Sequence, residues 1–419
     1  MINKVYLIAF IFFPATIVAQ NDMGYNLIQE KCTLCHSNND IAPYDFSSIE
    51  SIIKNSKTIL FCLKENYMPL WFANSNYRHF YNERVLTENE KFIIINWVEN
   101  LNEYNNNQID KRFLQTVINK QDTIKPSFSV SISNTYRFGN LTDQIFLNYK
   151  ELDHVTTKNI KGATLSFLDK NSVHHAVVYG LDSLSKNYKF VINSDTKNIE
   201  GNALGDVTLS VYAPGVNYAL LPDGFGFVTG TVKGLLLETH LLVTDEPTPV
   251  KATANFYYCK EKTIREVKSL NLTNLNDHSS IEPNTIKTYS GNYQLNDSIS
   301  LLAIMPHMHK IASRFYSFAI TPLQDTIPLL ELKKWSFDWQ TIYRLDSLLP
   351  LPKNTIIYYE ATFDNTIDNL ANPSNPPKKV WVNIGWSIQN EMLVFGLQYT
   401  DYKYNDESLK LNWINISIH

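Results

Sequence analysis

The apolar positions of this chain change their spacing twice between its first residues and its last. A continuous apolar run covers residues 5–18, directly after Lys4 and before the small residue Ala19. The run is too short for a comfortable bilayer span, and its flanks are typical of a cleaved secretory signal. We therefore expect residues 1–19 to be removed and the mature chain to lie in the periplasm, without an integral membrane span.

Helical spacing follows the signal. The stronger of two predicted helices covers residues 87–103, where Thr87 and Glu90 form a capping box ahead of apolar positions at helical spacing. A weaker helical pattern covers residues 24–37. The asparagine-rich stretch after the stronger helix is mostly polar and predicts a linker.

From about residue 127 onward, short runs rich in Val, Ile, Thr, Tyr and Phe alternate with clusters of Asn, Asp, Gly and Pro. Such runs, with a turn signal about every ten residues, are typical of antiparallel β-sandwiches. The pattern is too long for one sandwich and predicts two in tandem. Clear examples of predicted strands cover residues 163–168, 176–179, 207–212, 235–244, 252–258, 299–304, 316–320, 355–363 and 380–386.

The fold class expected from these patterns is multidomain, with a small all-α domain followed by two antiparallel, jelly-roll-like β-sandwiches. A chain of 419 residues also exceeds what one hydrophobic core normally supports. The expected boundaries are a signal over 1–19, the helical domain over 20–106, a linker over 107–126, and sandwiches over 127–275 and 276–419.

Composition narrows the partners. The net charge is −4, with no basic block, so neither nucleic acid nor an anionic membrane surface is an expected partner. Four cysteines are too few for a fold built on disulfides. For Cys62 and Cys259, which fall in different expected domains, the simplest interpretation is a buried, unreactive thiol.

The other two cysteines form the motif Cys32-Thr-Leu-Cys35-His36. Two thiols on one helical turn can add to the two vinyl groups of a haem, and the adjacent His36 then reaches the iron. A zinc site would need a second pair of Cys or His ligands, and the first 110 residues contain none. The motif therefore predicts one covalently bound c-type haem.

A second axial ligand is expected from Met68, the only methionine between His36 and the linker. A methionine before proline lies on extended backbone, and thioether ligation raises the haem potential. His79 is the alternative axial ligand. The simplest interpretation is that Met68 is not a ligand and only fills the apolar core. The segment resembles a class I cytochrome c, and Met68-Pro-Leu-Trp71 is similar to the Met-Pro-Pro-Trp of fused cytochrome modules.

Histidines recur in the predicted strands. His307 and His309 are two residues apart, so in an extended strand both point to one face and can converge on a metal. The adjacent pair His174 and His175 can share a metal only at a bulge or a strand end. His240, taken alone, is more often a hydrogen-bonded core residue than a ligand. Imidazole and thioether donors suit copper, whereas a carboxylate cluster for magnesium or calcium is missing.

The order of these residues resembles the copper type II, ascorbate-dependent monooxygenases, the family of peptidylglycine α-hydroxylating and dopamine β-monooxygenases. The segment from Val173 to Tyr179 is similar to that family's His-His-Met strand, and the segment ending in His240 is similar to the strand that carries a third histidine. Met305-Pro-His-Met-His309 is similar to Pro-His-Met-His, and Asn390-Glu-Met392 to Asp-Glu-Met. The resemblance implies two copper ions, bound by His174, His175 and His240 and by His307, His309 and Met392.

The chain also departs from the family pattern. Ala176 replaces the methionine of His-His-Met, which removes no ligand. Met305 and Gly396 stand where peptidylglycine hydroxylases have the Arg and Tyr that bind the substrate carboxylate. The resemblance therefore implies a more apolar pocket and argues against a C-terminal glycine peptide as substrate.

The resemblance further implies that the protein hydroxylates a C–H bond of a small organic substrate with O₂ at the copper of His307, His309 and Met392. The other copper would store and pass on an electron. The predicted haem could replace ascorbate as the electron source and would itself need a reductant or an electron-donor protein. The alternative is a periplasmic haem and copper protein that carries electrons without oxygenase activity.

Overall fold

The computed structural model describes most of the chain, and the bounds below refer to that part. No helix among the described residues is both long and apolar enough to cross a membrane. Most of the predicted signal lies outside the described residues, since the first of them is Ala15. The described residues are 15–33, 35–37, 42, 44–101, 124–136, 144–151, 159–168, 173–181, 207–213, 218–228, 234–241, 248–261, 264–273, 279–382 and 390–416.

The chain divides into two compact units. The first consists of Met1–Trp71 and Arg84–Asn119, and the second of Phe72–Glu83 and Lys120–His419. Each unit is considered by itself.

All four α-helices of the described residues lie in the first unit. The capping box predicted for the stronger helix is present, because the Thr87 hydroxyl accepts from Glu90 N–H and the Glu90 carboxylate accepts from Thr87 N–H. Gly24 lies directly against Trp97, and a Cβ on this glycine would fall 2.4 Å from the Trp97 side chain. The helices are α1 (Ala15–Lys31), α2 (Ile49–Lys54), α3 (Ser56–Lys64) and α4 (Glu88–Asn100).

The described residues are mostly β-strand, with only four short helices. An all-α cytochrome domain is not evident from them. The helices enclose a small apolar core, against which the Cys32 side chain packs. The cytochrome part of the expected fold therefore stays a prediction. The core consists of Ile28, Phe46, Ile52, Ile59, Leu63, Ile94, Trp97, Val98 and Leu101.

The second unit contains the strands. Each of the nine predicted strands overlaps an observed one, although residues 242–244 and 383–386 lie outside the described part. The strands are β1 (Phe128–Tyr136), β2 (Gln144–Glu151), β3 (Ile160–Phe167), β4 (Val173–Leu181), β5 (Val207–Tyr212), β6 (Tyr218–Leu220), β7 (Phe225–Gly226), β8 (Gly234–Leu241), β9 (Thr248–Tyr258), β10 (Arg265–Glu266), β11 (Lys268–Leu272), β12 (Ser280–Ile281), β13 (Ile286–Gln294), β14 (Ile299–His307), β15 (Ala312–Ile320), β16 (Thr326–Leu332), β17 (Tyr343–Leu351), β18 (Ile356–Asp364), β19 (Val380–Trp381), β20 (Val394–Asp401) and β21 (Ile414–Ile416).

Four antiparallel sheets form two pairs along the chain. The first pair has strand orders β1-β9-β3 and β2-β8-β4-β5, and the second has β11-β20-β14-β17 and β13-β18-β15-β16. Aromatic rings bridge each pair: Phe167 lies 4.9 Å from Tyr212 in the first, and Phe315 lies 5.2 Å from Phe395 in the second. Along β18 every second residue is buried, as expected for a strand with one face on a core. The mostly β fold and the two sandwiches agree with the prediction.

The boundary between the sandwiches differs from the expected one at residue 275. Strand β11 pairs with β20, so the chain has already entered the second sandwich at Lys268. Near the C-terminus, β21 returns to pair with β6. These pairings are made by backbone groups, which any strand-forming sequence offers, so turn signals alone did not locate them.

The helical domain expected over 20–106 also differs, because the segment Phe72–Glu83 belongs to the second unit. Tyr81 N–H donates to the Arg344 carbonyl at 2.8 Å, and the Asn82 amide donates to the Ile342 carbonyl at 2.8 Å. The segment has no helical apolar spacing of its own, so its backbone groups are paired by β16, β17 and the adjoining loop instead.

Candidate metal centre

The first group of histidines lies on two paired strands of the first sandwich. His175 on β4 is in register with His240 on β8, and the register shifts between Val173 and His175. His174 is therefore an extra residue in a bulge, which is how two adjacent histidines come to share one face of the strand. Ring centroids of the three histidines are 4.8 to 5.3 Å apart, and one nitrogen from each lies within 4.8 Å of the others.

The second group lies where β14 ends. His307 is the last residue of this strand, and its ring centroid is 5.3 Å from that of His309. Antiparallel β20 pairs His307 with Val394. Met392, two residues before Val394, is buried.

The two groups meet. The His175 ring lies 5.7 Å from the His307 ring, so a contact between the sandwiches joins three histidines to two. Apart from the partly buried His307, all of them are at most 4 % exposed. The structure thus brings together all five predicted histidine ligands: His174, His175, His240, His307 and His309.

In the second group, protein hydrogen bonds occupy the same nitrogen of both rings. His307 Nδ1 is 2.7 Å from Gln340 Oε1, and His309 Nδ1 is 2.7 Å from the Asn390 carbonyl oxygen. A hydrogen bond to one ring nitrogen selects the tautomer whose other nitrogen can bind a metal. Nε2 is therefore the nitrogen that each of these histidines offers.

In the first group the pattern is reversed. His174 Nε2 is 2.9 Å from Asp338 Oδ1, which leaves Nδ1, and that atom lies 3.0 Å from His175 Nδ1. Within the described part of the chain, neither nitrogen of the buried His240 has a hydrogen-bond partner. An unpaired buried imidazole is costly, and a metal ion would satisfy it. The donor set and this unpaired ring fit a metal site.

Burial lowers the pKa of four of these imidazoles. It lowers the pKa of His240 to about 2 and that of His309 to about 3, and the neighbouring His174 and His307, respectively, lower them further. The pKa values of His175 and His307 are also lowered, first by burial. Neutral imidazole is the form that binds metals, so the centre is held ready for them at neutral pH.

Sequence reasoning missed the loop over residues 333–342, between β16 and β17. Phe337 in this loop stacks on His174 at 4.3 Å and lies beside three further imidazoles, and the Trp335 indole donates to the His309 carbonyl at 3.0 Å. Asp338 and Gln340 of the same loop make the hydrogen bonds to His174 and His307. The signal was the aromatic-rich run from Trp335 to Trp339. The further rings beside Phe337 are those of His175, His240 and His309.

Glu391 was overlooked as well, although it precedes a predicted ligand. Its buried carboxylate accepts from His309 N–H at 2.9 Å and from Ile311 N–H at 2.7 Å. Burial raises the pKa of Glu391 to about 8. The side chain fixes the turn that carries His309 and thereby the position of that ligand.

The predicted haem ligands of the first unit lie in the turn after α1. Both His36 N–H and Cys35 N–H donate to the Cys32 carbonyl, at 2.9 and 3.1 Å. The His36 ring stacks on Phe46 at 4.4 Å, and its Nδ1 lies 3.2 Å from the Tyr44 carbonyl, a contact that orients the ring.

None of the four cysteines forms a disulfide. Burial, followed by the nearby Cys35, raises the pKa of the Cys32 thiol to about 12. In the second unit, burial raises the pKa of Cys259 to about 11, in line with the expected unreactive thiol, although Cys62 and Cys259 are only partly buried. Two thiols outside any disulfide, next to a histidine oriented through its Nδ1, fit covalent haem attachment.

The two candidates for the distal haem ligand lie in different units. Met68 is in the loop after α3, and its backbone N–H donates to the Cys62 carbonyl at 3.3 Å. His79 belongs to the second unit, where its exposed ring lies 3.0 Å from Glu83 Oε2. Met68 belongs to the same unit as Cys32, Cys35 and His36, whereas His79 does not.

Comparison with known proteins adds nothing to this geometry. No protein-family model and no curated protein matches the chain. Among solved structures, that of the infectious bursal disease virus Gt strain covers 71% of this chain and 79% of its own, at 12% identity and a TM-score of 0.18. The VP2 subviral particle of the same virus covers 71% and 78%, at 11% identity and a TM-score of 0.19. At these TM-scores the likeness carries no argument about fold or function.

Proposed function

We propose that this protein is a copper-dependent monooxygenase that hydroxylates a C–H bond of a small organic substrate with O₂. The observation that carries the proposal is the cluster of five imidazoles, in which His240 has no hydrogen-bond partner among the described residues. Imidazole donors with a buried methionine nearby suit copper better than the oxygen-preferring metals.

The overall reaction converts R–H, O₂, two electrons and two protons into R–OH and water. Bound copper would supply the activation of dioxygen. The chain itself excludes water, because Phe337 covers the imidazoles and four of the five histidines are almost fully buried. Between the sandwiches, Met305 and Ile342 of the second pack against a buried apolar cluster of the first that includes Val177.

The electrons are proposed to come from a covalent haem in the first unit, attached to Cys32 and Cys35 and ligated by His36 and Met68. A haem with histidine and methionine ligands is a one-electron carrier, and its place on the same chain raises its effective concentration. The reductant of this haem would be a small molecule or an electron-donor protein in the periplasm. Ascorbate is the other possible source of electrons.

One observation also favours the second candidate, an electron carrier without oxygenase activity. The imidazoles are so well buried that a substrate has little access to them in this conformation. Oxygen consumption separates the two functions, since a carrier has no need to react with O₂.

The test begins with metal analysis and an optical spectrum of the purified full-length chain. We expect two coppers and one haem per chain, with the haem absorbance retained after denaturation. After removal of unbound copper, addition of ascorbate is expected to start O₂ consumption, which should be lost in His307→Ala. The control is His79→Ala, which changes an exposed histidine that is not among the proposed copper ligands. A chain that retains no copper would refute the proposal, and a copper-loaded chain that consumes no O₂ would favour the carrier.

A further inference from the structure

We propose that the five histidines form one coupled two-metal centre rather than two isolated mononuclear sites. This inference rests on the proposed copper function and specifies how its two ions interact. Two-metal sites that act on one ligand hold their ions about 3.5–4 Å apart.

The first argument is the spacing of the rings. The ring centroids of His175 and His307, which belong to different sandwiches, are 5.7 Å apart. Within the first group, His174 lies 5.3 Å from His240, and within the second, His307 lies 5.3 Å from His309. The separation between the groups is thus nearly the same as the separations inside them, so no cleft divides the imidazoles.

The second argument is the loop over residues 333–342, which holds the two groups together. Its Asp338 fixes His174 of the first sandwich, and its Gln340 fixes His307 of the second. Phe337 lies between these two residues in sequence and contacts imidazoles of both groups, His174 and His309 among them. A single short segment therefore determines the distance between the groups.

The third argument is the choice of nitrogens. Each of the three hydrogen bonds from the loop and from the Asn390 carbonyl occupies one nitrogen of an imidazole and leaves the opposite one for a metal. The nitrogen left on His174 faces His175, the ring that contacts His307.

The experiment is electron paramagnetic resonance of the full-length protein loaded with Cu(II), combined with measurement of copper per chain. Two coupled Cu(II) ions weaken each other's signal and add a line at half field. We expect two coppers per chain, with less than half of the signal intensity of two isolated ions. In His240→Ala and in His309→Ala we expect one copper per chain, with the full intensity of one isolated ion and no half-field line.

The two variants come from opposite groups, so loss of coupling in both, with unchanged circular dichroism, would exclude misfolding as its cause. The haem is kept oxidised so that the copper stays Cu(II), and the spectrum of the oxidised copper-free protein is subtracted as the haem contribution. Two coppers with fully additive signals would overturn the coupled centre and leave the proposed function standing. A single copper per wild-type chain would also overturn it. A chain that binds no copper would overturn both proposals.

Discussion

The two groups of histidines differ in the hydrogen bonds that the protein itself makes to their rings. In the second sandwich, the protein makes a hydrogen bond to one ring nitrogen of His307 and of His309, and Glu391 secures the turn that carries His309. In the first sandwich, His240 has no partner in the described part of the chain, and His174 is oriented by a residue of the other sandwich, Asp338.

The second group is positioned by hydrogen bonds from its own sandwich, whereas His174 of the first group is positioned by a residue of the other sandwich. A buried imidazole without a partner costs free energy unless something binds it. We therefore expect the first group to depend more on metal, and the second to contribute more to the stability of the metal-free protein. Four predictions test this difference between the two groups.

Replacing His240 by leucine should nearly abolish copper binding at the first group. The substitution removes one of three ligands, so the affinity should fall by more than about 100-fold, beyond the 10–100-fold typical of losing an outer-shell partner. Competition with a chelator measures the loss. His79→Leu is the matched control, and equal copper affinity in both variants would show that His240 is not a ligand.

Glu391→Ala should destabilise the second sandwich by about 3 kcal/mol, because two buried N–H groups lose their acceptor and each costs about 1–3 kcal/mol. The denaturation midpoint of the metal-free protein reports the change. Glu391→Gln keeps one acceptor oxygen and should cost less, and the exposed Glu407→Ala should cost nothing measurable. A neutral Glu391→Ala would mean that the turn does not depend on this carboxylate.

Asp338→Ala should weaken copper binding at the first group by roughly 10- to 100-fold, the range for residues that orient a ligand without touching the metal. The copper of the second group should be unaffected, which separates a positioning role from general damage. Asp368→Ala removes an exposed carboxylate of the same sandwich and should bind both coppers normally. Unchanged binding in Asp338→Ala would remove the loop from the account of His174.

The smallest effect concerns the metal-free protein. His240→Leu should change its stability by less than about 1 kcal/mol, since the ring that is lost makes no hydrogen bond among the described residues. His309→Leu strips the Asn390 carbonyl of its partner and should cost about 1–3 kcal/mol. Thermal denaturation of the two metal-free variants measures both losses of stability. A larger loss in His240→Leu would show that the first group contributes more to the stability of the metal-free protein.

Local patterns were sufficient for the helices and strands and for the spacing of the candidate histidines within one strand. The capping box of Thr87 and Glu90 and the strand carrying His307 depend on residues a few positions apart, so they can be recognised along the chain. The expected sharing of a metal by His174 and His175 required a bulge, and the register shift on β4 provides it.

Long-range partners could not be predicted in this way. Asp338 reaches His174 across 164 positions of sequence, and Glu391 reaches His309 across 82. The segment Phe72–Glu83 looked like part of the helical domain because covalent neighbours are assumed to fold together. Its backbone groups pair with the second sandwich instead, and only coordinates reveal such a pairing.

The sequence by itself determined which side chains offer metal-binding nitrogens and thiols and on which local elements they lie, because residue type and spacing decide both. Only the tertiary structure decided that the five imidazoles come together and which nitrogen of each remains available. Those outcomes depend on the pairing of β14 with β20 and on a loop packed between two sandwiches. Such contacts join residues that are distant in the chain, and their free energy comes from packing and from satisfying buried polar groups rather than from any local pattern.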